Sequence, residues 1–143
     1  MYDFFGDNKL RTFYIFKINR EFKTITYKKP YNLFLALNNI HNMDTSDIHL
    51  ATKLFSEICD ETDTKKMNLS VFNKLKHSDS YTKFNNNHLI NNYFTTENSK
   101  LTINRTHLKL KSTINDPSFF DILKHIPNLF VIDFKSKDYF WLS

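Results

Sequence analysis

Residues 129–142 read LFVIDFKSKDYFWL, and this stretch decides the fold. Leu129 to Phe134 is apolar apart from Asp133, too short for a helix and rich in strand-favouring residues, so it predicts a strand buried on both faces. KSKD is a four-residue connection to YFWL, and the two apolar runs therefore predict a hairpin that closes the chain. Asp133 invites a catalytic reading, but a carboxylate beside a tight turn more often accepts hydrogen bonds from that turn and fixes it. A strand buried on both faces must be covered on both, so helices are required elsewhere.

Upstream, Asn115-Asp116-Pro117-Ser118 predicts a helix start, with Asp116 as cap and Pro117 in the first helical position. Phe119, Phe120, Leu123 and Ile126 form its apolar stripe before Pro127. Before that helix, LTI and HLKLK alternate, pairing Leu101 and Ile103 with Leu108 and Leu110 in a second hairpin whose wet face carries Lys109 and Lys111. At the other end of the chain, TFYIFKI (Thr12 to Ile18) predicts a core strand. Tyr14, Phe16 and Ile18 lie on one side, Phe13 and Ile15 on the other.

The segment FKTITYKK, from Phe22, keeps no single period and fits either an irregular strand or an exposed loop. Pro30 then opens a helix carrying Leu33, Phe34, Leu37 and Ile40. A further helix, capped by Asp44 or Thr45, carries Ile48, Ala51, Leu54, Phe55 and Ile58. Leu69, Phe72 and Leu75 predict one more helix, and Leu89, Ile90, Tyr93 and Phe94 predict another, with Asn85-Asn86-Asn87 as a solvated turn between them. The resulting fold class is α/β: residues 11–143 as a single domain in which a mixed sheet, built from the first strand and the C-terminal hairpins, is packed with several helices. Residues 1–10 form a loosely ordered leader.

Composition narrows the chemistry. Gly6 is the only glycine, so the loops that cradle phosphate in Walker and Rossmann sites have no place here, and no small-molecule substrate or nucleotide cofactor is expected. The six histidines show no metal-ligand spacing, and Cys59 stands alone without a protease-like context, which favours a buried structural thiol. One cysteine, no apolar run of membrane length and a charged start point to a cytoplasmic protein. The net charge of +5 opens an alternative as a basic nucleic-acid-binding module. Only three of the twenty basic residues are Arg, however, which disfavours a reader of base sequence. Phe22, Tyr27 and Tyr31 lie among Lys23, Lys28 and Lys29, and aromatic anchors ringed by cations suit a protein interface or a single strand of nucleic acid.

The run FFDIL from Phe119, Ile126-Pro127, FVIDFKSK from Phe130 and the closing YFWL resemble the end of the SirA family, sporulation inhibitors of replication. FYIF from Phe13, Ile18, Glu21-Phe22 and a helix around Phe34 resemble its start, and His107 falls where the family's second hairpin strand begins. The resemblance implies a non-enzymatic inhibitor that binds the N-terminal domain of the replication initiator DnaA. It implies contacts from Phe22 and, four residues on, from the position of Thr26, with Tyr27 adjacent. Lys53 and Ser56 would join them from a later helix.

Overall fold

The computed structural model describes residues 10–142; the expected leader, residues 1–10, lies outside them save for Leu10. Seven strands form one sheet: β1 (Arg11–Lys17), β2 (Tyr81–Phe84), β3 (Asn87–Asn92), β4 (Glu97–Ile103), β5 (Leu108–Ser112), β6 (Leu129–Asp133) and β7 (Asp138–Trp141). Their order is β2-β3-β4-β5-β1-β6-β7. Five helices accompany them: α1 (Arg20–Thr26), α2 (Pro30–His41), α3 (Ile48–Ile58), α4 (Thr64–Leu75) and α5 (Ser118–Leu123).

The α/β class and both C-terminal hairpins are as the sequence predicts, but the sheet is antiparallel at every pairing and not mixed. The reason lies in the route of the chain. After β1, helices α1 to α4 carry it to the far edge, and three hairpins then build inward until β5 meets β1. The α5 crossover steps over β1, so β5 and β6 flank it from opposite sides and each runs antiparallel to it.

Strand alternation divides the core in two. Phe13, Ile15, Leu101, Leu110 and Val131 face α4 and α5, packing on Val71, Phe119, Phe120 and Leu123. On the reverse face, Phe16, Ile18, Phe130 and Ile132 pack on Leu33, Phe34, Leu37 and Ile58 of α2 and α3. All five residues of β6 are buried, as LFVID predicts. Helices α1 to α3 cover only the β1, β6 and β7 end of this second face. The β2 to β5 end presents Lys100, Thr102, Lys109 and Lys111, none of which belongs to either core.

Three local readings change. Leu89 to Phe94 is no helix: Asn87–Asn92 is a strand whose inward residues are His88 and Ile90, and Tyr93 and Phe94 sit exposed in the following turn. FKTITYKK is neither strand nor loop, because Asn19 caps α1 by accepting a hydrogen bond from the Phe22 N–H at 2.7 Å. Helix α5 starts at Ser118, with Pro117 just outside it, and Asp116 makes no cap bond. The buried Glu97 of β4 takes that role instead, accepting the Ser118 N–H at 3.0 Å and its hydroxyl. Asp133 does fix its turn, accepting the N–H groups of Lys135 and Ser136 at 3.1 and 3.2 Å, and it also pairs with Arg11 Nε at 3.0 Å.

Candidate protein-interaction surface

Helix α1 follows β1 directly, and its start is tied to the end of α3. The Asn19 N–H donates to the Ile58 carbonyl at 2.8 Å, and the Asn19 side-chain amide donates to the Glu57 carbonyl. Phe22 is half-buried against the Phe130 core, and Thr26 is 5% exposed with its hydroxyl donated to the Phe22 carbonyl at 2.7 Å. The outer side of α1 is therefore made by the residues beside them, Ile25 at 72% exposure and Tyr27 at 51%.

Tyr27 does not stand alone. Its ring lies 5.6 Å from that of Trp141 on the edge strand β7, and Lys23 Nζ sits 5.4 Å from both ring centres. One helix along, Tyr31 is 55% exposed and lies 6.2 Å from Tyr139, which in turn stacks on Phe34 at 4.9 Å. Leu35, one turn beyond Tyr31 on α2, extends the apolar surface. The result is an aromatic shelf of Tyr27, Tyr31, Tyr139 and Trp141 over a packed floor, with Lys23, Lys28 and Lys29 along its margin, while Ile25, two residues before Tyr27, projects from the opposite flank of α1. Rigid aromatics with few rotamers to freeze, backed by a core and edged by cations, are the chemistry of a protein-binding anchor.

Lys53 and Ser56 are exposed on α3, and the Ser56 hydroxyl donates to the Lys53 carbonyl at 2.7 Å. The Asn19 contacts bring Ser56 toward the start of α1, whereas Tyr27 lies at the other end of that helix, about 10 Å on at 1.5 Å per residue. Phe22, Thr26 and Tyr27 thus share one helix, and Lys53 and Ser56 sit beside its opposite end. The shelf's β7 members, Tyr139 and Trp141, were missed in the sequence because they read as ordinary hairpin core. Alternation did place both on one face of β7, which was the available signal.

Cys59 is buried, and burial followed by the charge of Asp60 pushes its thiol well above the usual range, so it stays protonated. Among the described residues no cluster of His, Cys, Asp or Glu could hold a metal ion, and no helix is long and apolar enough to cross a membrane.

Residues 11–143 match the family model described as sporulation inhibitor of replication protein SirA. The chain belongs to the SirA family. A match over nearly the whole described chain makes the sequence resemblance a family membership, and sporulation-linked inhibition of replication is the family's role. No match was found among curated proteins. SirA proteins are regulatory inhibitors, a role that calls for a binding surface.

Proposed function

We propose that this SirA-family chain stops replication initiation by binding the N-terminal domain of DnaA through the α1–α2 shelf. The supporting observation is the position of exposed Tyr27 and Tyr31 on the helices that immediately follow β1, beside Phe22 and Thr26, where the sequence resemblance puts the partner contacts. Phe22 and Thr26 support the surface from beneath, Tyr27 and Tyr31 enter the partner, and Lys53 and Ser56 make polar contacts at the α3 margin.

Calorimetry against the isolated N-terminal domain of DnaA tests this directly. Tyr27→Ala is expected to weaken binding by about 2 kcal/mol, roughly 30-fold, as truncation of an aromatic anchor does. Tyr31→Ala is expected to do likewise, with both proteins melting close to the parent because each ring is half exposed. Unchanged affinity in both variants would remove the shelf from the interface.

A further inference from the structure

The second face of the sheet is left bare at its β2 to β5 end, and its register is regular. Two rows of side chains cross the strands there. One runs Thr82, Leu89, Lys100, Lys111, Thr12, and the other runs Phe84, Asn87, Thr102, Lys109, Tyr14. At about 4.8 Å between strands, each row spans roughly 19 Å. No carboxylate lies in either row. At the Tyr14 end the floor becomes a cleft of about 1030 Å³, walled by Asn38, His41 and Asn42 from the end of α2 and by Lys135 and Lys137 from the β6–β7 turn.

Lys100 and Lys111 stand directly opposite each other on neighbouring strands, an arrangement that destabilises a sheet unless something anionic lies over it. Lys100, Lys109, Lys111, Lys135 and Lys137 make no ion pair among the described residues. Between the lysines sit hydroxyl and amide groups, with the Thr102 hydroxyl already donated to Asn87 Oδ1 at 2.7 Å, which holds the Asn87 amide N–H free to donate. Phe84 closes the second row as an exposed ring with no ring contact among the described residues.

We infer that this face is a second binding surface, separate from the shelf, and that its ligand is a single-stranded polynucleotide held across the strands by its phosphates. Lys109 and Lys111 stand about 6.8 Å apart along β5, one in each row, so a backbone crossing the strands between the rows meets a lysine on either side. A lysine set of this kind clamps backbone without reading sequence, which agrees with the scarcity of Arg. Phe84 and Leu89 offer apolar contact to bases that only an unpaired strand exposes. An acidic protein segment is the lesser fit, because the face lacks the clustered aromatic anchors that the shelf possesses.

The test is fluorescence anisotropy of a labelled oligothymidylate of about twenty nucleotides, titrated with the whole protein over a range of salt. Binding is expected to weaken with a slope of about −0.7 per phosphate engaged, so replacing Lys100, Lys109 and Lys111 together by Ala should flatten the slope by about 2. The same triple variant should lose about tenfold or more in affinity at ~0.1 M salt while still binding the N-terminal domain of DnaA. Replacing the three by Arg should keep the affinity. Removing equal charge from α4, with Lys65, Lys66 and Lys74 changed to Ala, should leave it nearly unchanged. Relief of the Lys100–Lys111 opposition should keep the melting temperature of the alanine variant at or above that of the parent; if it fails to fold, Lys100→Gln alone should still cost about threefold. Absence of binding at low salt, an alanine variant equal to the parent, or an α4 variant as weak as the sheet variant would each overturn the inference. Equal competition by duplex DNA, or by polyglutamate of matched charge, would do the same, the latter pointing to an acidic protein partner.

Discussion

His88 shows how one residue can carry a condition-dependent share of stability. It is fully buried; its Nδ1 lies 2.7 Å from the Tyr81 hydroxyl and its Nε2 lies 2.8 Å from Asn68 Oδ1. Asn68 Oδ1 can only accept, so Nε2 carries the proton and Nδ1 accepts from Tyr81, a neutral ring with both nitrogens satisfied. A second proton, on Nδ1, would turn the Tyr81 hydroxyl from donor to acceptor and place a charge in a buried site. Burial, and then the charge of Lys83, lowers the His88 pKa from 6.5 to about 4. The unfolded chain binds the proton first, so the stability contributed by the neutral ring is complete above pH 6.5 and is lost as the pH falls toward 4. At about 1.4 kcal/mol per unit the loss is on the order of 3 kcal/mol. Urea unfolding at pH 7 and again near pH 4.5 should show most of it, and His88→Gln should flatten the dependence. A parent protein equally stable at both pH values would contradict this account of the ring.

At the scale of the element, α1 matters because it is short, with seven residues, and stands or falls with its cap. Asn19 accepts from Phe22 and donates to Glu57, so Asn19→Ala removes a cap and a tether to α3 at once. A loss of about 1 to 2 kcal/mol in urea unfolding is expected. Because Tyr27 rides on the end of that helix, hydrogen exchange of the α1 amides should rise and affinity for the DnaA domain should fall even though Asn19 itself touches nothing on the shelf. Unaltered exchange in α1 would show that tertiary packing alone holds it. The same helix marks the limit of what the chain discloses as a string of letters. β6, β1 and the β4–β5 hairpin were legible because apolar runs and strict alternation follow from burial on two faces or one. α1 was not, since its inward residues Phe22 and Thr26 are one aromatic and one hydroxyl whose satisfaction lies in the helix's own carbonyl. β3 was misread because its inward set is His88 and Ile90, and a buried histidine breaks a pattern counted in apolar residues. Its turns hid as well: Asn85 and Thr96 take positive φ of 54° and 57° where glycine would have announced a hairpin. Of the surface, Tyr27 and Tyr31 were visible as aromatics among lysines. Trp141 and Tyr139 become part of it only through the register that sets β7 on β6.

For the whole molecule, the decisive fact is that two apolar layers share a single sheet. Phe130 and Ile132 enter one layer while Leu129 and Val131, on the same five-residue strand, enter the other, so neither layer can dissolve without withdrawing the partners of its opposite. Phe13 and Phe16 bind the layers in the same way through β1. The only tryptophan, Trp141, lies on the α1–α3 side, 5.0 Å from Phe130, and so reports one layer by fluorescence, while circular dichroism reports both. Leu110 is wholly buried in the other layer. Leu110→Ala deletes apolar volume that the strands around it cannot recover, at a cost of about 3 kcal/mol. If the shared strands couple the layers, the Trp141 fluorescence midpoint in urea must move as far as the dichroism midpoint, with one transition and an unaltered slope. Two separated midpoints, or a fluorescence transition that stays in place, would mean that the helices over β1, β6 and β7 unfold as a unit of their own. In that event the shelf could persist on a protein whose lysine face had already come apart, and coupling between the two surfaces would be lost.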